Sequence, residues 1–179
     1  MTRDIRPEGS CHAAEIGSVR IFAVDPGTTE SGWCLFNATG KVEDSGVATN
    51  HDVLRWLKAG GSGANLLAVE MIAGMGMTVG QTTFETVRWI GRFQQAWHDP
   101  EAVRLIFRRD VKTVICGNQQ AKDGNIRQAL IDRLGAPGVK KHPGPTYGVS
   151  SHAWSALAVA VTTLERMGIK VEPKQAELV

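Results

Sequence analysis

The sequence predicts an α/β fold: a mixed five-stranded sheet, a three-strand antiparallel meander plus parallel strands, with helices on both faces. Three observations carry this reading. Three β-rich segments, at 20–25, 32–38 and 41–48, follow one another across two short turns, which is the pattern of a meander. Two further apolar runs, 65–70 and 103–107, alternate with helical patterns, as parallel strands joined by crossover helices do. The last helical stretch, about 151–167, is apolar nearly all round and so belongs in the interior.

Each element has its own signal. Residues 1–18 are polar without a period and read as a flexible N-terminal arm, 19–168 as one domain, and 169–179 as a polar C-terminal tail. Ile21-Phe22-Ala23-Val24 runs into Asp25, the Pro26-Gly27 turn follows, and Trp33-Cys34-Leu35-Phe36 returns. Asn37-Ala38-Thr39-Gly40 makes the second turn, and His51–Lys58 reads as a short helix stopped by Gly60-Gly61-Ser62-Gly63. Asn65–Glu70 is continuously apolar before its terminal acid, which suits a central strand covered on both faces. After a glycine- and methionine-rich loop to Gly80, Thr82-Thr83-Phe84-Glu85 has the form of a capping box. Phe84, Val87, Ile90, Phe93 and Trp97 then mark an amphipathic helix, and Trp89, Phe93 and Trp97 together make its face a candidate interface. Val103–Phe107 is the fifth strand, 109–116 a short helix, 123–134 another, and 139–148 a Pro/Gly loop.

Composition sets outer bounds. Of 179 residues, 42% are hydrophobic and 21% charged, the balance of an ordinary globular domain. No apolar run approaches the ~20 residues of a membrane span. Cys11, Cys34 and Cys116 have neither zinc spacing nor an even framework, so a reducing, cytoplasmic interior is expected. The net charge of +2 conceals a basic segment: residues 101–150 hold nine Lys/Arg against four acids. Such a segment is either one face for a polyanion or a set of solvated helix faces.

Two buried strands each end in an acid, Asp25 and Glu70. Ligands of such sheets bind beyond the strands' carboxyl ends, and neighbouring strands ~4.8 Å apart let two carboxylates share a divalent ion. Asp25 alone is equally a turn-opening residue. His152, at the start of the last helix, is either a third ligand or a structural histidine, with Ser155 one turn on along the same face. Asp123 is either the cap of the helix that follows it or a further acid of the site.

Val24-Asp25-Pro26-Gly27-Thr28 with Gly32-Trp33 resembles the opening motif of RuvC-type Holliday junction resolvases, and Ala68-Val69-Glu70 resembles their second. Val111–Asn118 resembles their basic helix with its following glycine, and Ser151–Ala160 their closing helix. The matches span about residues 20–163 in the family's order, and the stretch Lys122–Leu130 looks closest to RuvC-like proteins of bacteriophages.

The resemblance implies an RNase H-like fold and a homodimer that cuts four-way or other branched DNA with Mg2+ or Mn2+, two ions to each active site. Asp25, Glu70 and His152 would be metal ligands, while Ser155 stands where the family usually carries its last acid, with Asp123 as a substitute. Phosphate contacts would come from Arg108, Arg109, Lys112, Lys122, Arg127, Lys140 and Lys141. Met75 and Met77, in the loop after Glu70, would reach the junction centre as apolar wedges, or else pack on the core. Two other readings compete: a branched-DNA-binding module of the same fold, impaired by Ser155, and an ATP-binding domain. The latter rests on the likeness of Asp25–Thr29 to the phosphate loop of the actin, Hsp70 and sugar-kinase superfamily.

Overall fold

Alternation along Ile21-Phe22-Ala23-Val24 sends successive side chains to opposite sides of strand β1 (Arg20–Asp25), and both sides are buried. A computed structural model describes residues 19–74, 76 and 79–171 of the chain. The expected arm 1–18, most of the expected tail, and Met75 and Met77 lie outside the described residues.

The sheet contains β1, β2 (Glu30–Asn37), β3 (Val42–Thr49), β4 (Leu66–Met71) and β5 (Arg104–Phe107). Their spatial order is β3-β2-β1-β4-β5. The β1–β2 and β2–β3 pairs are antiparallel, whereas β4 runs parallel to both β1 and β5. This is the expected mixed sheet of a meander plus parallel strands.

Five helices cover it: α1 (Asn50–Lys58), α2 (Gln81–Ala96), α3 (Arg108–Cys116), α4 (Asp123–Leu134) and α5 (Ala153–Arg166). Ile21, Ala23, Cys34, Phe36, Ala68 and Ile106 pack with α3, α4 and α5 on one face. Phe22, Val24, Leu35, Leu67 and Val69 pack with α1 and α2 on the other. Period-two alternation in the central strands therefore divides the core into two halves. Helix α5 is buried from Ala153 to Leu164 apart from Ser155, as its all-round apolar sequence requires. Ile169 and Val171 pack on the same half-core, so the packed part extends past residue 168.

Several local expectations are corrected. Helix α2 begins at Gln81 with Gly80 before it, so Thr82 makes no cap, and Glu85 faces Arg88 at 3.7 Å instead. Trp89, Phe93 and Trp97 are buried against the sheet rather than offered as an interface, and the exposed apolar residues of α2 are Phe84 and Val87. The stretch expected as a loop at 139–148 holds a small hairpin, Gly138–Val139 with His142–Pro143, whose tip is Lys140-Lys141.

Candidate active site

Val24 pairs with Val69 across the parallel β1–β4 ladder, and both point into the α1–α2 half-core. The next residues on each strand, Asp25 and Glu70, therefore stand side by side and point to the opposite face, toward α3, α4 and α5. Their carboxyl groups are in hydrogen-bonding contact. Strand ends supply such a place because the ladder stops there while the apolar floor continues beneath it.

The turn after Asp25 is held by a residue that the sequence reading did not single out. Asn50 is fully buried, and its Nδ2 donates to the Gly27 carbonyl at 3.0 Å. Its backbone N–H donates to the Thr29 carbonyl at 2.9 Å, and its Oδ1 accepts from the Ser31 hydroxyl at 2.6 Å. One amide thus staples the whole Pro26–Ser31 turn to the start of α1. Only the juxtaposition of residues 19 to 23 positions apart reveals this, since Asn50 lies in no motif.

His152 reaches the site through the backbone of α5. It is the residue before the helix rather than part of its first turn, and Ser151 ahead of it has φ 46°, in the left-handed region. Its Nδ1 lies 3.3 Å from Asp25 Oδ2, with the histidine side chain 70% exposed. Asp25 pairs across the ladder with Gly32, and a Cβ on Gly32 would come within 2.3 Å of the His152 carbonyl oxygen. The absence of a side chain at Gly32 is what lets the start of α5 settle beside Asp25.

Arg108 enters from the other side. It opens α3 directly after β5, where Phe107 is paired with Met71 one residue beyond Glu70. Its Nη1 lies 3.4 Å from Glu70 Oε2, and its Nη2 donates to Asp123 Oδ1. Asp123 is not a helix cap: α4 opens at Asp123 itself, Asn125 Oδ1 accepts from the Lys122 N–H, and the Asp123 carboxylate turns outward to Arg108.

The electrostatics follow from this crowding. Burial, with the neighbouring Asp25 charge, pushes Glu70 up to about 8, against the pull of Arg108. Burial also raises Asp25, in opposition to His152 and Arg108. Arg108 loses by its own burial but gains more from Glu70, Asp123 and Asp25, which raise its pKa further. Two carboxyl groups forced together with too little positive charge will share a proton, with Glu70 donating it to Asp25.

The chemistry of this donor set fits a divalent ion. Paired, partly desolvated carboxylates with excess negative charge are the oxygen ligands that Mg2+ and Mn2+ take. Among the described residues, no three His, Cys, Asp or Glu side chains converge as a ready metal cage. Arg108 holds Asp123 away, which leaves Asp25 and Glu70, with His152 at their margin, as the residues that could hold an ion.

Other expected residues divide into two groups. Arg108, Asp123, Arg127, His152, Trp154 and Ser155 line one cleft, where the Arg127 guanidinium lies 5.1 Å over the Trp154 ring. Glu70, Arg108, Arg109 and Lys112 line a second with Gln119 and Gln120. Arg108 stands between the two clefts, and Lys122 is exposed at the entry to α4. Lys140 and Lys141 are not brought to this place. Their hairpin is anchored beside Lys41, Val42 and Leu134, at the far end of α4, a helix about 18 Å long.

No family model matches the chain, and no curated protein does so. Its sheet topology is that of an RNase H-like α/β fold. Among solved structures it is similar to Thermus thermophilus RuvC, with TM-score 0.61 and 19% identity over 86% of this chain and 99% of that one. It is equally similar to T. thermophilus RuvC in complex with Holliday junction substrate, with TM-score 0.62 and 18% identity over the same shares. The chain has a RuvC-type resolvase fold.

Proposed function

We propose that this chain is a divalent-metal-dependent endonuclease that cuts branched DNA, four-way junctions foremost. The observation that carries the proposal is the pair Asp25 and Glu70, in contact at the ends of two adjacent parallel strands, on a fold shared with a junction-bound RuvC. No helix among the described residues is long and apolar enough to cross a membrane.

When bound, Mg2+ or Mn2+ would supply an activated water and counter-charge for the leaving oxygen of the phosphodiester. The chain's own part is to bind, orient and neutralise. Asp25 and Glu70 hold the ion, and the shared proton between them must leave as it enters. His152 and Asp123, with Ser155 in the same cleft, are the groups available for a second ion in a two-ion mechanism. Arg109, Lys112, Lys122 and Arg127 border the site and offer phosphate contacts, which give affinity without sequence preference. Within this reading the protein works as a homodimer in the cytoplasm of a bacterium or phage-infected host. The stretch Lys122–Leu130 supports a likeness to the RuvC-like proteins of bacteriophages.

The test is cleavage of a synthetic four-way junction with Mg2+ or Mn2+, beside linear, flap and fork controls. Nicks confined to branched substrates and abolished by EDTA are expected. Tight junction binding without any metal-dependent product would instead identify a binding module, a reading favoured by Ser155 in place of an acid and by the hold of Arg108 on Glu70 and Asp123.

A further inference from the structure

The cation nearest the two strand-end acids belongs to the protein itself. Arg108 touches Glu70 with one guanidinium nitrogen and Asp123 with the other, and its side chain is only 29% exposed. A guanidinium fork suits two carboxylates well because it is planar, always charged and presents donors in fixed directions. Nothing else among the ion pairs of the described residues touches Glu70 or Asp123. Arg108 therefore fixes the distance between an acid of the sheet and an acid of α4, two elements that have no strand ladder between them.

The same fork occupies positive-charge space that a divalent ion needs. An ion held by Asp25 and Glu70 would lie close to Arg108, and like charges a few ångströms apart in a partly buried site repel strongly. We propose that Arg108 is the resident cation of this site: it ties Asp123 to Glu70 in the metal-free protein and competes with divalent metal for those carboxylates. This rests on the nuclease reading for its biological sense but not for its test. Arg108 is then a positioning residue for Asp123, which becomes available to a metal only when the fork is drawn elsewhere. A DNA phosphate, which the fork fits as well as it fits a carboxylate, is the chemical group suited to draw it.

The experiment is a calorimetric titration of DNA-free protein with Mn2+, comparing wild type with Arg108→Gln, Arg108→Ala and Arg108→Lys. Circular dichroism establishes folding, and melting is followed with EDTA and with Mn2+. Removing the charge is expected to tighten Mn2+ binding about tenfold or more. Lys, a point charge that cannot span both acids, should fall between the wild type and Gln. The uncharged variants should melt lower than wild type in EDTA and gain more from Mn2+. Folded Gln and Ala variants that bind Mn2+ no more tightly than wild type would overturn the assignment. The two readings fail separately. A wild type that cuts junctions while Arg108→Gln gains no Mn2+ affinity sinks the resident cation alone. A wild type that cuts nothing while the variant gains affinity sinks the nuclease alone.

Discussion

The carbonyl oxygen of His152 rests on Gly32, so closely that a Cβ there would come within 2.3 Å of it. Gly32 is the ladder partner of Asp25. One missing side chain on β2 thus decides how near α5 begins to the first acid of the site, and with it the 3.3 Å approach of His152 Nδ1 to Asp25 Oδ2.

Gly32→Ala should accordingly act on both stability and activity. The clash is with backbone, which has little room to yield, and overpacking of this kind costs about 1–3 kcal/mol. A lower melting temperature is expected, together with weaker cleavage by the fraction that remains folded. An unchanged melt would mean that α5 does not rest on Gly32.

Asp25→Asn keeps the shape of the side chain and removes one ligand charge. Metal-dependent cleavage should vanish while junction affinity, carried by the basic residues, stays nearly intact. Gel-shift and cleavage assays on one junction separate the two effects. Residual cutting at the wild-type rate would move the metal site elsewhere.

Asn50→Ala strips two side-chain hydrogen bonds from the turn after Asp25 and leaves the Gly27 carbonyl and the Ser31 hydroxyl without their partner. Buried groups deprived in this way cost about 1–3 kcal/mol each. Denaturant unfolding should show a loss in that range or above. Because Asp25 sits at the stapled end of the turn, metal affinity should fall as well, as calorimetry would detect.

Glu70 makes stability depend on pH in a definite sense. Its folded-state value of about 8 lies above the ordinary 4.5, so the native chain holds a proton that the unfolded chain releases. That contribution is complete below about 4.5 and is lost as pH rises through about 8. Denaturation midpoints in EDTA should decline across this window, and Glu70→Gln should flatten the decline. Metal affinity should run the opposite way, rising over the same window as the proton leaves. A metal-free midpoint that climbs from acid to neutral pH in wild type and Glu70→Gln alike would refute the assignment.

Much of this was legible in the chain itself. The strands announced themselves by apolar runs ending in Asp25 and Glu70, and α5 by an apolar surface too wide for any exposed helix. The pairing of the two acids followed from the ladder, since residues that end adjacent parallel strands in register must meet. Side chains with more than one available partner were not legible in this way. Asp123 has the right residue type for a cap, yet Asn125 satisfies the Lys122 N–H and Arg108 draws the carboxylate away. Trp89, Phe93 and Trp97 have the right spacing for an interface, yet the sheet beneath α2 is broad enough to bury them all.

The sequence by itself determined the elements, their faces and the two acids, because hydrophobic periodicity and turn chemistry act over a few neighbouring residues. Only the tertiary structure decided that Arg108 lies on Glu70 and Asp123, that Asn50 holds the Asp25 turn, and that Lys140 and Lys141 stand at the far end of α4. Those relations join residues far apart in the chain. They exist only once the strand order is set and the helices are laid across it.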